Sequence, residues 1–196
     1  MKVGLFNLRR ASALLGALAL LSCLAPTVAA QKRDHLTPAE VELVRDARAL
    51  DKRTEVFVRA AERRLLALTD PRAAAAEQAL REKEKAKGLE DWGALPTGTR
   101  ADLLSDLAGI FDEAITNIDD VAARDERSAL LGKSLRRLGA TAERFLAQLQ
   151  PLRASAADGA EQQALARALD ELQEITEAAK RLPPETDAKK PKDSKQ

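Results

Sequence analysis

Leu43, Ala47, Leu50, Thr54, Phe57, Ala61, Leu65 and Leu68 recur at steps of three and four, which draws one apolar stripe along a helix. Its start is marked by Thr37 as cap, Pro38 at the first helical position, Glu40 reaching back to Thr37, and Leu36 closing over Val41 as a staple. The spacing therefore predicts a single helix over residues 36–70, about 50 Å long at ~1.5 Å per residue. A stripe of that length must be covered by other helices.

The partners are legible downstream. Asp70 and Pro71 supply a new cap and first position for a helix over 72–87 that ends at Gly88, and its last turns are nearly all charged, as a solvated face is. Thr99 and Asp102 repeat the capping pattern before Leu104, Leu107, Phe111, Ala114, Ile118 and Val121. A further stripe runs through Leu131, Leu135, Leu138, Ala142, Phe145, Leu149 and Leu152, and residues 124–128 between the two stripes read as a turn, since a continuous helix would put Arg124 on the seam. Asp158 and Glu161 open a last helix carrying Leu165, Leu169, Leu172, Ile175, Ala179 and Leu182, stopped by Pro183 and Pro184.

The fold class is all-α: an antiparallel, left-handed, coiled-coil-like bundle of four to five helices over residues 37–182, with Phe57, Phe111 and Phe145 in its core and ionised groups outside. Composition agrees, because alanine, leucine, glutamate and arginine dominate while the 196 residues include one Trp, four Phe and no Tyr. Residues 31–36 read as a linker, and 183–196, rich in lysine and without large apolar residues, as a disordered tail.

Residues 1–30 have the layout of a secretory signal: Lys2, Arg9 and Arg10, then the apolar run 11–21, then small residues ending at Ala30. That run is too short to span a membrane. Two processing routes fit. Cleavage between Ala30 and Gln31 releases a free chain, whereas Leu20-Leu21-Ser22-Cys23 resembles a bacterial lipobox, with residues 1–22 as lipoprotein signal and Cys23 as the lipidated first residue. Localisation follows from the route: periplasmic or secreted in the first case, outer-membrane lipoprotein in the second. Contact with a membrane is expected only if Cys23 is lipidated. The Arg9-Arg10 pair lacks the neighbours of a twin-arginine signal.

Chemistry is sparsely provided for. Beyond the leader the chain carries 29 basic and 31 acidic side chains, without the basic excess of a nucleic-acid binder. His35 is the only histidine, Cys23 the only cysteine and Met1 the only methionine, so no catalytic, haem or metal constellation is expected. The acids Asp112, Glu113, Asp119 and Asp120 fall between the seam positions and should point outward. Neither a phosphate loop nor a cofactor motif is present. The loop over 88–98 holds Trp92, which either plugs one end of the bundle together with Leu89 and Leu95 or serves as a contact for a partner. The expected function is that of a non-enzymatic exported protein acting through protein–protein contacts or self-association.

Overall fold

The computed structural model describes residues 34–85 and 91–183. The signal segment, Cys23, the Ala30/Gln31 junction, Leu89 and the tail from residue 184 lie outside the described residues. Within them the chain is all-helical: α1 (Pro38–Asp46), α2 (Leu50–Thr69), α3 (Pro71–Lys85), α4 (Arg100–Arg124), α5 (Ala129–Leu149), a short 3₁₀ turn (Gln150–Ala154) and α6 (Gly159–Lys180).

Six helices stand where four to five are expected, because the stripe over 36–70 is broken. The chain leaves the helix at Ala47 and re-enters it at Leu50. No glycine or proline marks the spot; the cause is tertiary. In one straight helix Glu40 and Arg64 would lie about 36 Å apart at ~1.5 Å per residue, yet the two side chains bond at 2.5 Å, which requires α1 to fold back on α2. Arg53 steadies the corner by donating from Nε to the freed Ala47 carbonyl at 3.2 Å.

Local signals govern the other termini. Thr37 with Glu40, and Thr99 with Asp102, form reciprocal capping boxes, and Asp158 caps α6 through the Glu161 amide. Asp70 Oδ1 accepts from the Arg72 and Ala73 amides at the start of α3. Residues 125–128 form the expected turn between α4 and α5. The helix predicted to run on through Leu152 ends instead at Leu149, where Pro151, which has no amide hydrogen, diverts the chain into the 3₁₀ turn.

The packing is not uniformly antiparallel, and side-chain pairs give the directions. Lys133–Asp51, Arg137–Glu55 and Arg144–Glu62 keep a constant offset of 82 residues, so α2 and α5 run parallel. Arg53 meets Asn117 while Arg64 approaches Asp106, so α2 and α4 are antiparallel. Arg100 bonds Glu161 at the start of both α4 and α6, and Ile115 and Ile118 further along α4 share a groove with Ile175 and Ala178, so these two ascend together. In turn, Gly139 faces Ala179 while Arg136 reaches Pro183, which makes α5 and α6 antiparallel.

Each of α2 and α6 packs on both α4 and α5, whereas the backbones of α2 and α6 do not come close to one another. The turn at 125–128 therefore carries the chain across the diagonal of the bundle, and this is why two neighbouring pairs are parallel. The diagonal is bridged at the centre by Phe111 and Phe145, whose rings meet edge to face at 5.5 Å and 83°, a contact worth about 0.5–1.5 kcal/mol beyond the area it buries. Phe57 is equally buried. By contrast, α3 packs on α2 alone among the helices, meets the 91–98 loop where Gln78 accepts the Leu95 amide at 3.0 Å, and leaves Leu80 55% exposed, in keeping with its charged sequence.

Candidate functional site

Arg63 and Arg64 sit side by side in the second half of α2, and both are buried. Ionised groups thus occupy the interior where hydrocarbon is expected. The reason is that each finds fixed oxygen partners, without which a buried charge would be prohibitive.

Arg64, 1% exposed, donates from Nη1 to Glu40 Oε1 at 2.5 Å and to the Ala60 carbonyl at 3.0 Å, and from Nη2 to the His35 carbonyl at 2.7 Å. Asp106 Oδ2 on α4 lies 4.0 Å from its Nε. Glu40 is fully buried and does double service, its second oxygen accepting the Thr37 amide of the capping box at 2.9 Å. Arg63 turns the other way. It donates to three successive backbone carbonyls, those of Trp92, Gly93 at 3.1 Å and Ala94 at 2.6 Å, while its Nη1 stays 3.3 Å from Glu40. Burial pushes the Arg63 guanidinium below the ordinary arginine value, the Glu40 carboxylate opposes that, and Arg64 adds to it.

Trp92 is buried at 3% exposure, with the guanidiniums of Arg59 and Arg63 at 4.9 and 5.7 Å from its ring centroid. The next residue, Gly93, has φ +62° and a Cβ there would come within 2.9 Å of the Ala39 Cβ, so only glycine lets the loop pass over α1. One pair of arginines therefore fastens α1, the 91–98 loop and α4 to α2.

His35, expected in a linker, is held as well. Its Nε2 lies 2.6 Å from Glu113 Oε2 on α4, and its ring rests on Gly109, where a Cβ would come within 2.9 Å of the imidazole. Gly109 is in mid-helix, where glycine is unfavourable by up to about 1 kcal/mol against alanine; the histidine accounts for it. Of the four acids expected to point outward, Asp112, Asp119 and Asp120 are exposed and Glu113 is half-buried against His35.

Glu40 is legible from the sequence only as a capping residue. Two of the other members carried a signal that stripe reading passes over. Arg64 lies on the same seam as Phe57, Ala61 and Leu68, and Asp106 falls at seam spacing between Leu103 and Ile110. A cation and an anion each placed on an apolar seam are a candidate buried pair. Arg63, which serves the loop, has no such mark.

Chemically the arrangement resembles a brace rather than a reaction centre, since Glu40, Arg63 and Arg64 all hold protein partners and only Arg64 Nε, 4.0 Å from Asp106, is left without a hydrogen bond among their buried side-chain atoms. Among the described residues no group of three or more His, Cys, Asp or Glu side chains could hold a metal ion. None of the described helices is long and apolar enough to cross a membrane. The chain matches no protein-family model, and neither a curated protein nor a solved structure matches it.

Proposed function

We propose that this chain is a non-enzymatic exported helical protein of the bacterial periplasm or envelope that acts through contacts with another protein or with itself. The observation that supports this reading is the use of the buried charges. Glu40, Arg63 and Arg64 tie α1 and the Trp92 loop to the bundle, so the polar groups of the interior hold a rigid helical body together. A body of that kind offers its helix faces and grooves to other macromolecules. The leader over residues 1–30 supports the assignment to an exported compartment, and Cys23 supports a lipid-anchored form of the same protein.

The test is to express the full chain with its own leader in a Gram-negative host, fractionate the cells and weigh the mature protein. A chain starting at Gln31 in the periplasm is the expected free form; an acylated chain starting at Cys23 in the membrane fraction is the anchored one, and Cys23→Ala would then release it. Cross-linking in those cells, followed by sedimentation, reads partner or self-contact. Retention in the cytoplasm with the leader intact, or a monomer that cross-links to nothing, would overturn the reading.

A further inference from the structure

The two broad faces of the bundle treat their carboxylates differently. On the α2–α5 face the acids are neutralised in register, Asp51 by Lys133, Glu55 by Arg137 and Glu62 by Arg144. Across the α4–α6 face Asp112, Asp119, Glu171 and Glu174 form no ion pair with a described residue, although the chain as a whole is close to neutral. Four carboxylates without an ion pair to a described residue therefore share this side.

That side also carries a groove of about 450 Å³ between α4, the start of α5 and the C-terminal half of α6. Its floor is apolar, with Ile115, Leu135 and Ala178 half-buried, and its rim includes Asp119, Glu171 and Glu174. The cations nearby are few. Arg181 borders the groove and lies 4.0 Å from Glu177, and Arg167 acts on Glu171 from one turn earlier. Glu171 is held above the ordinary carboxylate value by burial, then by Asp112 and Glu174, and Arg167 opposes these only in part, so a further cation brought by an incoming group would be favoured there.

We propose that this groove receives a cationic amphipathic segment of a partner protein, its apolar residues on the floor around Ile115, Leu135 and Ala178 and its lysine or arginine heads against Asp119, Glu171 and Glu174. The inference rests on the contact function argued above and names the partner's chemistry. A helix laid in the groove would present anchors at a spacing of three and four residues, the usual way an amphipathic helix fills such a site. The carboxylate rim would set orientation and attract the partner from a distance. The chain's own tail carries Lys189, Lys190, Lys192 and Lys195 but has no apolar residue larger than alanine, so it matches the rim and not the floor.

The probe is a labelled leucine–lysine peptide patterned as an amphipathic helix, titrated against the full mature chain, with a leucine–glutamate peptide of the same pattern as control. The leucine–lysine peptide should bind and the acidic one should not. Combining Asp119→Asn, Glu171→Gln and Glu174→Gln should weaken binding by about tenfold, whereas Glu42→Gln, Glu82→Gln and Glu126→Gln together should change it by less than about threefold. Ala178→Lys, which puts a cation and bulk on the floor without altering the acids, should weaken it as well.

Equal weakening by both triple sets would reduce the effect to general charge and overturn the proposal. A tightening of about tenfold on removing residues 184–196 would make the chain's own tail the occupant and overturn it too. If cells yield a cross-linked partner that the groove substitutions leave attached, the groove assignment fails and the contact function stands; if the groove binds as stated but cells yield no partner, the reverse holds.

Discussion

Glu40 and Arg64 meet at 2.5 Å although 24 residues separate them in sequence, and neither side chain reaches water. This bond decides the path of the first third of the domain. It turns α1 back on α2, brings the His35 carbonyl onto Arg64 Nη2, and leaves Glu40 within 3.3 Å of Arg63, which carries the Trp92 loop.

Glu40→Gln tests the charge and spares the cap, because glutamine at the third helical position can still reach back to Thr37. It leaves two buried guanidiniums facing a neutral amide. Removing one partner of a buried pair typically costs about 3–5 kcal/mol, and Asp106 at 4.0 Å from Arg64 should keep the loss near the lower figure. Urea denaturation should show a lower midpoint with an unchanged slope. Adding Arg64→Met should cost less than the two separate losses summed, by more than about 1 kcal/mol. A Glu40→Gln protein within about 0.5 kcal/mol of the parent would show that the pair does not hold the fold.

Gly109→Ala isolates the His35 contact. A Cβ would approach the imidazole Cγ to 2.9 Å, so the ring must leave its place beside Glu113. The global stability should change little, since alanine's helix preference of up to about 1 kcal/mol offsets the lost contact. The local change is readable because the chain has one histidine. In proton NMR its imidazole signals should move towards those of a Glu113→Gln protein, and the chain ahead of Thr37 should be cut sooner by protease. An unchanged imidazole spectrum would dispose of the contact.

How much of this was legible follows from range. The caps at Thr37, Thr99 and Asp158 are bonds over three residues, so side-chain type and spacing suffice to find them. Phe57, Phe111 and Phe145 were placed in the core by period alone. The break after Asp46 was not legible, because Ala47, Arg48 and Ala49 favour helix and the force that breaks it comes from Arg64. The parallel pairing of α2 with α5 was missed for a related reason: a short turn fixes the reversal of the chain and not which side of the bundle it returns to. The buried site was half legible. Arg64 and Asp106 stand on apolar seams, but nothing local marks Glu40 as more than a cap.

Gly139→Ala probes the α5–α6 contact. The added Cβ would stand 2.3 Å from the Ala179 Cβ, on a helix backbone that cannot turn aside like a flexible side chain. Overpacking of this kind costs about 1–3 kcal/mol, and helix propensity works against it by up to about 1 kcal/mol. Thermal melting should still show a net loss. Ala179→Gly added to it should recover stability relative to Gly139→Ala alone, by removing the atom struck. No recovery would mean that the helices separate rather than clash.

Glu171 gives stability a dependence on pH whose sign can be worked out. Burial, Asp112 and Glu174 raise its carboxyl above the ordinary value of 4.5, with Arg167 opposing. A group whose folded value lies above its unfolded value binds its proton more tightly when folded, so the stability it contributes is fully present below the unfolded value and is lost as pH rises through the folded one. At neutral pH the ionised carboxylate therefore works against the fold, by crowding Asp112 and Glu174 in a half-buried place. Glu171→Gln removes that strain. Its melting temperature should exceed the parent's at pH 7, and the difference should close as pH falls below about 4.5, where the parent carboxyl is itself protonated. Glu161 supplies the opposite sign for comparison: the Arg100 hydrogen bond and the Ala157 amide hold its value down, so its contribution is present above 4.5 and fades only in stronger acid. Melting curves of Glu171→Gln and Glu161→Gln across that range should therefore diverge from the parent in opposite directions at pH 7. A Glu171→Gln protein no more stable than the parent at pH 7 would mean that Arg167 fully offsets the burial and the crowding by Asp112 and Glu174.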